Sequence, residues 1–251
     1  MKKLMVCFLL VASLVPAAFA QQLDWTGVYV GGHLGYGVGE SSGGISLTWP
    51  HAGAAEKNEL TNGWPKDLNP RGSSFGFQGG YNFQASSNFV LGAEFDYSKL
   101  DMASSNNRRI VFAASGIATD IRNKLDLDNM LSLRAKAGYV YGQTLFYVTA
   151  GWAWSKIEAS SELFGEYSLS GNYSKEGRLS KTLDGYTVGL GLEHRFTQNL
   201  SIRGDYKYID LGKVNYATVN RPGGYNPYSW KESISQDLQV HLFNIGLNYH
   251  F

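Results

Sequence analysis

The chain has a single cysteine, Cys7, in 251 residues. It lies inside an apolar N-terminal run, so the rest of the chain has no disulfide framework. After that run no stretch of about 18 apolar residues occurs, which excludes membrane-spanning helices. An excess of positive charge is also missing. Without Lys2 and Lys3 the basic residues number 22 − 2 = 20 against 21 acidic ones, formally −1. That balance excludes a general nucleic-acid binder, which needs a basic footprint. The motifs of enzymes are lacking as well. There is no phosphate loop, no His-Glu-x-x-His, no cysteine cluster, and no serine, histidine and acid at the spacing of a triad. The expectation is therefore a protein that is not an enzyme, with no catalytic residue and no bound metal. Proline is scarce, at 6 residues, and leaves strands largely uninterrupted.

What the chain does contain begins with an address. Lys2 and Lys3 precede the apolar run Leu4 to Val15, then Pro16 and the small-residue site Ala18-Phe19-Ala20. This pattern reads as a secretory signal peptide over residues 1–20, leaving 21–251 as one domain. That domain is rich in glycine (30 residues) and aromatics (14%), and its apolar residues recur with period two. Residues 243–251 alternate strictly. Phe243, Ile245, Leu247, Tyr249 and Phe251 fall on one face, and Asn244, Gly246, Asn248 and His250 on the other. Period-two alternation over about nine residues suits a tilted strand crossing a bilayer.

The same alternation recurs at 25–38, 73–84, 89–99, 129–141, 145–155, 183–196 and 200–210, giving eight strands. Short links follow the second, fourth and sixth. Long connections, about 39–72, 100–128, 156–182 and 211–235, follow the first, third, fifth and seventh. Short turns alternating with long loops mark a transmembrane β-barrel of the outer-membrane type. The fold class expected is all-β, an eight-stranded antiparallel barrel in a Gram-negative outer membrane. With both termini periplasmic, Phe83, Phe89, Tyr139, Phe146, Phe196, Tyr249 and Phe251 gather at one end. Tyr36, Tyr97, Trp152, Trp154 and Tyr208 gather at the other. Two aromatic girdles at the membrane interfaces are the reading. One irregularity stands out: Leu238, Val240 and Leu242 carry the opposite parity, which suggests a bulge near Leu242 or a strand leaving the membrane there.

Inward parity collects Glu94, Asp96, Glu193 and Asp205 with Arg134, Lys136, Arg195, Arg203 and Lys207. An eight-stranded barrel is only wide enough for its own side chains, and an unpaired ion in such an interior is costly. A network of lumen ion pairs is expected.

Several of these strands resemble a known family. Leu133-Arg134-Ala135-Lys136-Ala137-Gly138-Tyr139, Tyr147-Val148-Thr149-Ala150-Gly151, Gly189-Leu190-Gly191-Leu192-Glu193, Asp205-Tyr206-Lys207-Tyr208 and the ending Gly246-Leu247-Asn248-Tyr249-His250-Phe251 carry the likeness. They resemble the small porin-like outer-membrane surface antigens and haemin-binding proteins of α-proteobacteria, of the Brucella and Bartonella type. The resemblance implies an OmpA-like barrel with a surface-antigen role, and in some members haemin binding or weak pore activity. No resident cofactor is expected, with haemin a candidate ligand through His51 and His241. The expected partners are outer-membrane lipid and lipopolysaccharide, host surface molecules, and the barrel-assembly machinery reading the terminal strand that ends on Phe251. The function expected is envelope support and interaction through extracellular loops. A narrow diffusion channel and haemin capture are the alternatives.

Overall fold

Alternating side chains in strands this long must place one set inside and the other outside, and a closed ring is how such strands avoid open edges. The computed structural model describes residues 23–49, 53–113, 116, 118–165, 172–220 and 231–251. Its elements are β1 (Gly27–Thr48), α1 (Ala54–Gly63), β2 (Arg71–Gln84), β3 (Phe89–Val111), β4 (Ala118–Tyr141), β5 (Thr144–Gly165), β6 (Tyr173–Arg195), β7 (Leu200–Ala217), β8 (Val219–Asn220) and β9 (Lys231–His250). Each long strand pairs antiparallel with its neighbours, and β9 pairs with both β7 and β1, so eight strands close a ring. The two-residue β8 adds to β6 at Lys175 and Glu176.

The short turns follow the sequence. Tyr141 pairs with Thr144 across Gly142-Gln143, and Gly142 takes φ 61°, a left-handed value that glycine adopts without penalty. At that same end Phe251 donates its backbone N–H to the Val28 carbonyl at 3.0 Å.

The long connections are much shorter than the sequence suggests. β3 has 23 residues and β4 has 24, about twice what a bilayer requires. Most of 39–48, 100–111, 118–128, 156–165, 173–182 and 211–217 is strand. The physical reason is a change of environment along each strand. Around the ring's lower half, near the short turns, apolar residues face outward, with Leu34 71% and Ile245 68% exposed. The upper half reverses this. Leu238, Val240 and Leu242 are buried inside, together with Leu100, Met102, Leu125, Leu127, Ile157 and Leu211. Those strands have a wet outer face and an apolar interior, as in a soluble barrel.

The irregularity at Leu242 is settled by this change. There is no bulge in β9, whose pairing with β1 runs unbroken from Tyr29↔His250 to Thr48↔Lys231. The bulges sit on other strands instead, among them β3, where Leu100 and Asp101 oppose Asp128. In β4, Asp128 is the extra residue against β5, between Leu127 and Asn129. In β7, Leu211 and Gly212 together oppose Leu238. Gly212 has φ 68°, a G1-type bulge with glycine in the left-handed region. A Cβ there would meet nothing within 4 Å, so only the backbone resists substitution. Gly212→Val is expected to cost about 1–2 kcal/mol, and Gly212→Asn much less, because asparagine tolerates this conformation. Urea midpoints of the detergent-folded barrel check this; equal midpoints for valine and glycine would refute it.

The first connection fills the upper interior. α1 has ten residues, too short to be stable alone. It is held by burial of Leu60, Trp64 and Leu68 in the apolar core. The return segment, residues 64–70, is stitched to β1 through Gly43 N–H to the Lys66 carbonyl and Gly39 N–H to the Pro70 carbonyl, both 2.7 Å. Asn123 of β4 donates to the Pro65 carbonyl at 3.2 Å. Residues 1–20, expected to be a signal peptide, and His51 lie outside the described residues.

Candidate functional site

The lumen at membrane level is built by inward positions of β3, β4, β6, β7 and β9. Glu94 is its hub. Arg134 Nη2 donates to Oε1, and Arg203 donates Nη1 to Oε2 at 2.7 Å and Nη2 to Oε1 at 3.3 Å. The Tyr29 hydroxyl adds a donor to Oε2 at 2.6 Å. One carboxylate thus accepts from two guanidinium groups and a phenol, and such charge-assisted bonds are the strong ones.

Asp96 lies one step up the strand. Lys207 Nζ donates to it at 2.5 Å and the Ser98 hydroxyl at 3.0 Å. Arg203 also donates Nε to Asp205 at 3.1 Å, and Asn244 Nδ2 donates to the other Asp205 oxygen at 3.1 Å. Glu193 lies below the hub. It accepts from the Ser201 hydroxyl at 2.5 Å and Asn248 Nδ2 at 2.7 Å, and has Lys136 Nζ at 3.5 Å and His250 Nε2 at 2.9 Å. Lys136 is sandwiched between the Tyr29 and Tyr147 rings, 4.7 and 4.5 Å from their centroids. Within this network the acids Glu94, Asp96, Glu193 and Asp205 balance Arg134, Lys136, Arg203 and Lys207, so its charge sums to 4 − 4 = 0. A balanced, hydrogen-bonded set is the form in which charges tolerate such an interior.

Arg195 is the member of the expected set that stands apart. Its Nη1 donates to the Asp24 carbonyl at 2.7 Å and its guanidinium lies 4.5 Å over the Trp25 ring. There it helps close the base, where Trp25, Val90, Val140 and Leu145 are buried together.

The aromatic residues assigned to the girdles all sit on the outer face, from Tyr36 and Trp152 above to Phe83, Phe89, Phe146, Phe196 and Phe251 below. Tyr139 packs edge-on to Phe89 and Tyr249 edge-on to Phe251, while Tyr97 tilts against Phe77. Trp154 and Tyr208 are half-buried. Tyr208 lies against His241, and the Tyr206 hydroxyl is 2.7 Å from His241 Nδ1. His241 is thus part of the upper girdle, with one ring nitrogen engaged by a tyrosine.

Two lumen residues gain a role that parity alone does not assign. Tyr29 and Tyr147 need space across the barrel, and glycines provide it. A Cβ on Gly80 would sit 2.6 Å from the Tyr29 hydroxyl, and one on Gly191 2.5 Å from the Tyr147 hydroxyl. The glycines opposite inward tyrosines are the sequence signal. A second buried pair, Lys175 Nζ to Glu232 at 2.8 Å with Trp49 Nε1 also donating at 2.8 Å, lies near the upper rim. The surrounding residues read as loop in the sequence, which hides it. On the outer face of the same rim Lys124 donates to Asp126 at 2.6 Å, a bond that raises the ammonium's pKa.

A closed ring with an apolar outer belt and a charged interior points to a bacterial outer membrane. The model for the outer membrane protein beta-barrel domain matches residues 7–251. The chain belongs to this outer-membrane β-barrel family. The 31 kDa outer-membrane immunogenic protein of Brucella melitensis is 31% identical over 236 residues, covering 94% of this chain and 87% of that one. The 25 kDa outer-membrane immunogenic protein of the same organism is 26% identical, covering 94% and 84%. Among solved structures, the outer membrane protein OprG of Pseudomonas aeruginosa superposes with a TM-score of 0.50 at 12% identity, covering 92% and 98%. The family member described here is accordingly an integral outer-membrane protein.

Proposed function

We propose that this outer-membrane protein works at its surface and conducts nothing through its lumen. Its long-strand end faces outward, since both termini and the short turns share the other end, as in outer-membrane barrels generally. The relatives' description as immunogenic outer-membrane proteins fits a barrel that displays that end. It supports the envelope and offers its rim and outer wall to partners.

The observation that carries this reading is a lumen filled at three levels in series. Trp25, Val90, Val140 and Leu145 close the base. The network around Glu94 occupies the middle, with Arg134, Lys136, Arg203 and Lys207 all buried. Leu60 and Trp64 fill the top with the apolar core. Ions would have to cross an apolar layer at each end of the network, where nothing replaces their hydration.

The refolded barrel in a planar bilayer is expected to be silent in molar potassium chloride over ±100 mV, at protein doses where a porin control conducts. Steady, ohmic openings that change amplitude in Arg134→Ala would overturn the proposal and make the lumen a narrow channel.

A further inference from the structure

On the outer wall, just above the upper girdle, β1, β9 and the return segment from α1 enclose a groove of about 350 Å³, at the lower end of the range for ligand sites. Glu40, Asp67 and Asp237 contribute carboxylates, Asn69 and Gln239 contribute amides, and Arg71 contributes a guanidinium. Its height is fixed by register. Gln239 and Asp237 follow His241 up β9, and His241 belongs to the girdle. At about 3.3 Å per residue the groove opens within one layer of headgroups above the apolar belt.

Two features point to a ligand. First, the side chains of Glu40, Asp67, Asn69, Arg71 and Gln239 make no hydrogen bond or ion pair among the described residues, although they share one groove. Only Asp237 has a partner, Lys213 at 3.7 Å. Second, the donor and acceptor inventory is mixed. Carboxylates only accept, a guanidinium only donates, and amides do both. Adjacent hydroxyls on a sugar ring donate and accept at once, and they match such a set. Three carboxylates against one guanidinium disfavour a bare phosphate. A metal ion is disfavoured too, because among the described residues no group of three such ligands converges.

We propose that this groove binds sugar rings, neutral or amino-bearing, of the outer-leaflet glycolipid in which the barrel is embedded. The aromatic girdle beneath would lie against the lipid portion, and the groove would hold the first sugars above it. The inference rests on the chain's place in the outer membrane and on the outward end, not on the closed lumen. A conducting lumen would leave it standing.

The test uses the full folded barrel in detergent, titrated calorimetrically with three probes. These are a rough lipopolysaccharide carrying core sugars, lipid A without them, and the delipidated core oligosaccharide. The variants are Glu40→Gln and Asp67→Ala, which remove groups without internal partners, and heat-modifiable migration verifies the fold. Lipopolysaccharide binding is expected to weaken about tenfold in each variant and to persist in EDTA. Lipid A should bind equally to all three proteins. Oligosaccharide binding that is lost in the variants also supports the groove, with free saccharide as a second source. Equal lipopolysaccharide affinity in the variants overturns the proposal. So does a loss of lipid A binding equal to that of lipopolysaccharide, which would make the site one for phosphate.

Discussion

Glu94→Ala is expected to destabilise the barrel by roughly 3–5 kcal/mol, the usual cost of stranding the partner of a buried ion pair. Its carboxylate takes bonds from Arg134, Arg203 and Tyr29, and Lys136 Nζ is 3.9 Å away. Without it the network holds four cations against three acids, and Arg203 retains Asp205 as its acidic partner. Glu94→Gln should cost nearly as much, because it keeps the volume and loses the charge. Adding Arg203→Met to Glu94→Gln should recover part of the loss, since the two residues interact directly and their effects cannot be additive. Urea unfolding of the heat-modifiable form provides the measurement. Asp120→Ala at the rim supplies the contrast. Its partner Arg109 is exposed, at 3.2 Å, and such pairs contribute about 0–1 kcal/mol. Equal midpoints for Glu94→Ala and Asp120→Ala would show that the lumen charges are solvated and not mutually bound.

The difference between these two pairs also explains what the sequence could and could not disclose. At membrane depth the alternation is one-signed, apolar outward and polar inward, so Val28, Val30 and Leu34 stand opposite Tyr29, Gly31 and His33 without ambiguity. The charged inward residues are conspicuous there because so few residue types can occupy both a strand and a wet-looking interior. Their partners are another matter. Glu94 and Arg134 pair across neighbouring strands, but Glu94 and Arg203 are 109 residues apart. They meet across the lumen, which no local period encodes.

Above the girdle the code inverts. Leu238, Val240 and Leu242 face inward on an unbroken β9, while β4 and β7 change parity through Asp128 and Gly212. A reader expecting lipid outside sees the apolar set on the wrong face and takes the strand to have ended. The polar, glycine-rich residues 39–72 conceal α1 for a related reason. Leu60 is the helix's single buried residue, so no apolar stripe announces it, and Trp64 and Leu68 follow after its end. Composition correctly marks such segments as poor in regular period and says nothing about whether they pack.

That packing yields the second large effect. Trp64→Ala should cost about 3–5 kcal/mol, the range for truncating a large buried aromatic, because Trp64 is 2% exposed in the apolar core. The loss should be local. α1 and its return segment have few ties besides burial: Gly39, Ser41, Gly43 and Asn123 bond to its backbone, and Glu59 accepts from Ala113 N–H at 3.1 Å. The expected result is rapid tryptic cutting after Lys57 and Lys66, with the heat-modifiable barrel below intact. The variant should also remain silent in the planar bilayer, because the network around Glu94 and the base at Trp25 still fill the lumen. Protection of Lys57 and Lys66 equal to wild type would mean that the plug is held by its hydrogen bonds rather than by Trp64. If instead the variant conducts, the charged layer is permeable on its own, and α1 with its flanking tryptophan is the seal.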